Sequence, residues 1–161
     1  RAVYQLSDSD LARGMSLLKL AALILYTFPG SPMLYYGDEA GMQGFEDPFN
    51  RGPYPWGHED AALLRYFRQL GALRKAHEAL QCGTIDYCAA QGRVLAFRRA
   101  SNSEKCITAV NAGGEPASLT LPWDAPLAQD ALTCQSFFCC DGLLRLTLEP
   151  YGAVLLVAPE N

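Results

Sequence analysis

The chain has 161 residues, of which 50% are hydrophobic and 19% are charged, and its formal net charge is -4. This composition excludes a disordered chain, because the apolar fraction is large enough to build a buried core. The acidic balance, with no run of Lys or Arg longer than a pair, argues against nucleic acid or an anionic membrane as the main partner.

The six cysteines stand at irregular spacings and form no CxxC pair. The spacing therefore predicts no zinc site, and we expect neither a metal nor a cofactor. Free thiols in a reducing, cytoplasmic compartment are expected, since so apolar a chain does not need disulfides. The amino terminus shows no signal-peptide pattern, and the longest uncharged apolar run, residues 20–28, is too short to cross a bilayer.

The first predicted element is a helix that begins at one of the capping residues at positions 7–10. Apolar residues then repeat at helical spacing in two adjoining stripes: Met15, Leu18, Ala22 and Leu25, and Leu17, Leu20, Ala21 and Ile24. So wide an apolar face requires cover from more than one neighbour. The helix is expected to end at Phe28, because Pro29 and Gly30 follow.

An apolar run and a long polar loop come next. Residues 33–36 are apolar or aromatic without alternation, which predicts a strand that is covered on both faces, as in parallel sheets. The loop after it carries Asp38, Glu39, Asp47, Asn50, Arg51 and Trp56. Charged and aromatic groups in a loop at the carboxyl end of such a strand are typical of the active face of an α/β barrel.

A second helix is predicted after Glu59 or Asp60, and beyond residue 77 the period changes from helical to alternating. Strands are expected at residues 84–90, 93–99, 105–111, 119–121, 134–140, 143–148 and 151–157. Asp141-Gly142 is the strongest hairpin signal, because both central residues of that turn favour positive φ. The predicted fold is α/β followed by all-β, with an α/β domain at residues 1–80 and an antiparallel β-sandwich domain at residues 81–161.

The order of these elements and two motifs resemble the carboxyl-terminal portion of an α-amylase family glycoside hydrolase. The motifs are PGSPMLYYGDEAGM at residues 29–42 and DPFNR at residues 47–51. The resemblance is narrower to the neopullulanase, cyclomaltodextrinase and amylopullulanase branch. It implies that the first helix is the seventh of a (β/α)8 TIM barrel, that residues 33–36 are the eighth strand, and that the helix after Asp60 is the eighth helix. The β-sandwich then follows the barrel.

The resemblance also implies a function, namely hydrolysis of α-1,4 or α-1,6 glucosidic bonds in starch-like oligosaccharides with retention of configuration. The catalytic Asp, Glu and Asp of the family lie upstream of Arg1, so no catalytic residue is expected in this chain, and the chain alone is expected to be inactive. The residues agree, because Asp38 and Glu39 are adjacent and cannot converge on one bond from the end of a strand. If barrel elements are absent, Leu18 and Leu25 should be unusually exposed.

Asp47 and Arg51 are the predicted substrate-binding residues, since in the family the corresponding pair holds glucose hydroxyls. The alternative is an Asp47–Arg51 ion pair that only fixes the loop. Asp38 and Glu39 are expected to accept hydrogen bonds from loop N–H groups. Tyr35, Tyr36 and Trp56 could stack on sugar rings, although core packing under the loop is favoured.

An α-glucan oligosaccharide is the expected partner, and the sequence leaves the oligomeric state open. A second reading treats the chain as a non-catalytic carbohydrate-binding or scaffolding module, in which the β-sandwich is the working part. Binding sandwiches display aromatic residues along one flat face. The aromatic residues of this tail have no even spacing along any strand, which favours a structural role for it.

Overall fold

Three helices precede the sheet in the computed structural model, which describes residues 6–159. They are α1 (Asp8–Thr27), α2 (Ala61–Ala76) and α3 (Glu78–Cys82). The predicted boundaries of α1 are confirmed. Ser7 is its N-cap residue, whose side chain accepts a hydrogen bond from the Asp10 N–H, and Phe28 is its C-cap residue. No helix in the described range is both long enough and apolar enough to cross a membrane.

The carboxyl-terminal half is all β, as predicted. Its strands are β1 (Thr84–Gln91), β2 (Val94–Ala100), β3 (Lys105–Asn111), β4 (Ala117–Pro122), β5 (Leu127–Asp130), β6 (Ser136–Cys140), β7 (Leu143–Leu148) and β8 (Ala153–Val157). They form one antiparallel sheet in the order β1-β2-β3-β8-β5-β6-β7-β4. The sheet folds over so that its edge strands β1 and β4 approach each other, which gives a nearly closed sandwich. The β6–β7 turn has φ 53° at Asp141 and 73° at Gly142, which confirms the predicted hairpin.

Two hydrophobic cores lie on opposite faces of the central strands. The helix-side core joins the helices to one face of the sheet and contains Leu20, Leu23, Leu63, Phe67, Leu70, Leu80, Cys106, Val110, Leu155 and Val157. The inner core lies inside the folded sheet and contains Ala96, Ile107, Ala109, Leu121, Trp123, Leu144, Leu146, Leu148, Val154 and Leu156. Because β3 and β8 contribute alternate residues to both cores, their sequences are almost continuously apolar.

The α1 face is narrower than the sequence predicts. Leu20, Ala22 and Leu23 are buried, whereas Ala21 is exposed. Leu18 and Leu25 are half-buried, so the expectation that they would be unusually exposed is not met. Leu18 packs against the helix-side core, which contains residues of β3 and β8 as well as of the helices.

Residues 33–36 do not form the predicted strand. Residues 31–35 belong to no helix or strand, Tyr36 lies in a turn, and every strand within residues 6–159 lies between Thr84 and Val157. A strand requires a hydrogen-bonded neighbour, and the eight strands found in the described part of the chain pair only with one another. The structure therefore shows a helix–loop–helix segment followed by the β domain, and the described residues contain no barrel strand.

Candidate functional site

Most of the residues that the sequence singles out lie in the long connection between α1 and α2, residues 28–60, here called the site loop. It contains two short 3-10 turns, Asp38–Ala40 and Phe49–Arg51. The first turn is tied to the start of α2 by a hydrogen bond of 3.0 Å from the Asp60 N–H to the Ala40 carbonyl. The site loop is thus fixed at its middle to a capped helix.

Asp47 and Arg51 are brought together by the second turn. Arg51 Nε lies 2.7 Å from Asp47 Oδ1, and the two side chains remain 68% and 61% exposed. An ion pair this exposed contributes at most about 1 kcal/mol, so its two partners can exchange hydrogen bonds with a ligand at little cost. The predicted ion pair is present, and its exposure leaves the carboxylate and the guanidinium accessible from solvent.

The aromatic residues of the site loop are not core residues, contrary to the favoured prediction. Trp56 is 80% exposed, Tyr35 is 50% exposed and Tyr36 is 45% exposed. They stand in pairs, with ring centroids 5.0 Å apart for Tyr35 and Tyr36 and 4.6 Å apart for Tyr54 and Trp56. The prediction failed because it assumed a strand beneath the loop, and residues 33–36 form none.

A cavity of about 470 Å³ opens between α1 and the site loop. Its lining includes Leu18 of α1 together with Tyr35, Tyr36, Asp38 and Asn50 of the loop. Among residues 6–159 the buried Asn50 Oδ1 atom has no hydrogen-bond partner, which leaves an unused acceptor on the residue next to Arg51 in sequence. Aromatic rings with a few polar groups are the usual lining of a small-molecule pocket.

Asp38 is the carboxylate that faces this cavity. Burial raises its pKa, the neighbouring charge of Glu39 raises it further, and a hydrogen bond from the Tyr35 backbone opposes both. Glu39 Oε2 accepts a hydrogen bond of 3.0 Å from the Gly37 N–H, as the sequence predicts for this pair. Gly37 has φ 95°, and a Cβ there would lie 2.4 Å from Met42 Sδ, so the turn that presents Asp38 requires glycine.

The two histidines lie at helix ends. His58 is exposed in the turn before α2. His77 ends α2 and precedes α3, and its Nδ1 atom lies 2.8 Å from Glu104 Oε2. Sequence reasoning missed Glu104, because a partner 27 residues away is set by tertiary packing and not by local pattern.

Comparison with known proteins identifies the chain. Residues 89–155, which run from β1 into β8, match the family model for the maltogenic amylase C-terminal domain. A cyclomaltodextrinase of Geobacillus thermopakistaniensis (strain MAS1) is 36% identical over 144 residues, which are 86% of this chain and 24% of that protein. The chain belongs to the α-amylase family. It corresponds to a carboxyl-terminal portion of α-amylase family proteins, as the site-loop motifs indicate.

Two further matches of this α-amylase family chain are an amylopullulanase and an α-amylase. An amylopullulanase of Thermoanaerobacter thermohydrosulfuricus is 44% identical over 82 residues, 51% of this chain and 6% of that protein. The crystal structure of an Anoxybacillus α-amylase superposes with a TM-score of 0.83 and 27% identity over 91% of this chain and 33% of that one. The chain therefore spans only a third or less of each protein that it matches here.

Proposed function

We propose that this chain is the carboxyl-terminal part of a retaining α-glucan hydrolase that cleaves α-1,4 or α-1,6 glucosidic bonds in starch-like oligosaccharides. In this proposal residues 1–80 complete a (β/α)8 barrel, in which residues 33–36 become a strand once upstream barrel strands supply the pairing partner that this chain lacks, and residues 81–161 form the β domain behind it. The catalytic carboxylates belong to upstream barrel strands, so the 161-residue chain is inactive alone. Similarity to a cyclomaltodextrinase over 86% of the chain supports this assignment.

The site loop supplies part of the glucan cleft in this proposal. Asp47 accepts hydrogen bonds from sugar hydroxyls while the Arg51 guanidinium donates to them, because a carboxylate only accepts and a guanidinium only donates. The observation that carries the role is their 2.7 Å contact with both side chains more than half exposed. Trp56, at the far end of the same loop, provides an exposed aromatic face suited to the apolar face of a sugar ring.

Two assays test the proposal. The purified chain should release no product from pullulan or from a nitrophenyl maltoside, and measurable turnover by it alone would refute the assignment of catalysis to upstream strands. The reading frame before Arg1 should encode a His-Asp pair preceded by Ser or Asn within a few residues. If that pair is absent, the barrel assignment of residues 1–80 fails.

The sugar-binding role of Asp47 is tested in the complete protein. Asp47→Ala should raise KM for maltooligosaccharides by about tenfold or more, since it removes charge-assisted hydrogen bonds to the substrate. The matched control is Asp86→Ala, which removes the carboxylate of another exposed ion pair, 2.9 Å from Arg98 on the β domain. Equal KM values for the two variants would leave Asp47 with a loop-fixing role only.

The alternative, a non-catalytic carbohydrate-binding or scaffolding module, is less well supported. Among the aromatic residues of the β domain, Phe97 and Trp123 are buried, while Tyr87 and Phe138 are exposed. The exposed pair lies on β1 and β6, which are separated by four strands in the sheet order, and therefore forms no aromatic row. Millimolar or tighter binding of maltooligosaccharides by the chain that survives Asp47→Ala would favour this module over the cleft.

A further inference from the structure

Three side chains of metal-ligand type meet where α2, α3 and β3 join. Within residues 6–159, the ligand atoms of His77, Glu104 and Cys106 all lie within 4.8 Å of one another. These residues form no CxxC pattern, and His77 and Cys106 are 29 positions apart in the sequence. The cluster is separate from the site loop, and the proposed glucan cleft does not use it.

Secondary structure explains why these three converge. Cys106 lies in β3 and Glu104 directly precedes that strand, so their i, i+2 spacing puts both side chains on one face of the sheet. That face is the one covered by the helices, because Cys106 belongs to the helix-side core. His77 stands at the junction between α2 and α3, directly above this end of the strand, and contacts Glu104 through Nδ1.

The surroundings of the cluster orient its groups. The Ala79 N–H donates to Glu104 Oε1 at 2.9 Å, which leaves Glu104 Oε2 directed at His77 at 2.8 Å. A backbone donor on the second carboxylate oxygen is the kind of outer contact that fixes metal-binding carboxylates. The side chains of His77 and Glu104 are 17% and 26% exposed, whereas Cys106 is 1% exposed, so the cluster is open to solvent on one side.

We propose that His77, Glu104 and Cys106 bind a divalent first-row transition ion of the Zn²⁺ type. Imidazole nitrogen, carboxylate oxygen and thiolate sulfur are the donor atoms that Zn²⁺ takes, and a water molecule from the open side completes four ligands. On binding, the Cys106 thiol releases its proton to solvent. The His77 imidazole presents the Nδ1 lone pair and keeps its proton on Nε2. The ion takes the place of the proton in the contact between His77 Nδ1 and Glu104 Oε2, and this second proton also passes to solvent.

The charge balance and the distance between His77 and Glu104 fit this assignment. The two positive charges of the ion replace those of the two protons that leave, so the buried Arg99 cation near Cys106 meets no added net charge. Nitrogen and oxygen ligands of a tetrahedral zinc ion stand about 3.3 Å apart. His77 and Glu104 would separate by about half an ångström from their present contact of 2.8 Å. The bound ion would pin the α2–α3 junction to β3 and thereby tie the helices to the sheet.

Cobalt(II) is the probe, because a thiolate ligand to this ion gives a charge-transfer band in the near ultraviolet. The metal-free 161-residue chain should show one such band that saturates at one equivalent and is displaced by Zn²⁺. Cys106→Ala should abolish the band, and Glu104→Gln should weaken Co²⁺ binding at least tenfold. Cys140→Ala is the matched control, since this exposed cysteine at the end of β6 should leave the band unchanged.

Circular dichroism of each variant establishes that it is folded. If Cys106→Ala does not fold, His77→Gln replaces it, since His77 is partly exposed and its loss should still remove stoichiometric binding. Zn²⁺ should also raise the melting temperature of the wild-type chain and not that of the variants. Absence of a thiolate band in the wild type, or a band that a folded Cys106→Ala or His77→Gln protein retains, would overturn the proposal.

Discussion

Arg99 places a charged side chain in a part of the molecule that is otherwise apolar. It is 1% exposed, and no carboxylate pairs with it in the described residues. Its guanidinium instead donates to four backbone carbonyls, those of Thr27, Leu80, Gly83 and Thr84. Three of these close the carboxyl ends of α1 and α3, where carbonyl groups lack helical partners and carry partial negative charge. Arg99 therefore holds two helix ends on the sheet.

Replacement of Arg99 by Met should lower the free energy of unfolding by about 3 kcal/mol, because it leaves several buried carbonyls without donors. Urea unfolding measures this loss. Arg98→Met is the matched control on the adjacent residue, whose ion pair with Asp86 is partly exposed and should contribute less than about 1 kcal/mol. Similar losses for the two variants would show that the carbonyl contacts of Arg99 do not stabilise the fold.

Replacement of Asp38 should stabilise the folded chain at neutral pH, whereas replacement of Arg99 should destabilise it. Because burial raises its pKa above the ordinary value of 3.8, the folded chain disfavours the charged carboxylate. The penalty is present above the folded pKa and disappears below the unfolded pKa. Asp38→Asn should therefore raise the free energy of unfolding at about pH 7 and leave it unchanged at about pH 3. A variant that is no more stable than the wild type at neutral pH would contradict this expectation.

At the scale of elements, the features that depend on residues adjacent in sequence were predicted, and those that depend on tertiary packing were largely missed. The caps of α1 and α2, the Asp141-Gly142 turn and the bounds of β3 and β7 follow from residues next to one another in sequence, and all are observed. The short elements α3 and β5 were missed, since five and four residues are too few to show a period. Residues 33–36 were mistaken for a strand, because apolar pattern does not report whether a pairing partner exists.

For the candidate sites too, sequence pattern predicted the contact between residues close in sequence and missed the one that tertiary packing creates. Asp47 and Arg51 are four residues apart, so their ion pair was among the sequence predictions and is observed. The cluster of His77, Glu104 and Cys106 was not foreseen, because the sequence analysis considered only the spacing of the cysteines. The cluster joins a helix junction to a strand and arises only when the helices pack on the sheet.

Substitution of glycine by alanine tests the backbone conformation of the β6–β7 turn against that of α1. Gly142 has φ 73°, and a Cβ there would meet no atom within 4 Å, so Gly142→Ala is strained only by its backbone. We expect a loss of about 1 kcal/mol in urea unfolding. Gly14 lies inside α1 and is equally free of close neighbours, so Gly14→Ala should instead stabilise by about 0.5–1 kcal/mol. Changes of the same sign would contradict the assigned backbone conformations.

At the scale of the whole molecule, the helices and the sheet share their central strands. Leu155 of β8 faces the helix-side core and Leu156, its neighbour, faces the inner core, and both are 0% exposed. Adjacent residues of β8 thus stabilise different layers, and every second residue stabilises the same one. A division into two domains near residue 80 would cross α3 (Glu78–Cys82) and the helix-side core, so the two parts should not unfold independently.

Coincident unfolding is the measurable consequence. Far-ultraviolet circular dichroism follows the helices, and fluorescence of Trp123, isolated by Trp56→Phe, follows the inner core, in which Trp123 is 5% exposed. The two urea transitions should superimpose, as in a two-state protein. Leu155→Ala and Leu156→Ala should each move both transitions, by about 2–5 kcal/mol. If Leu155→Ala lowers only the helical transition, and Leu156→Ala only the fluorescence transition, the helices and the sheet are separate folding units that merely touch. A shared shift instead means that the helix layer depends on the β domain for its stability, because β8 cannot lose a side chain on one face without loosening the layer on the other.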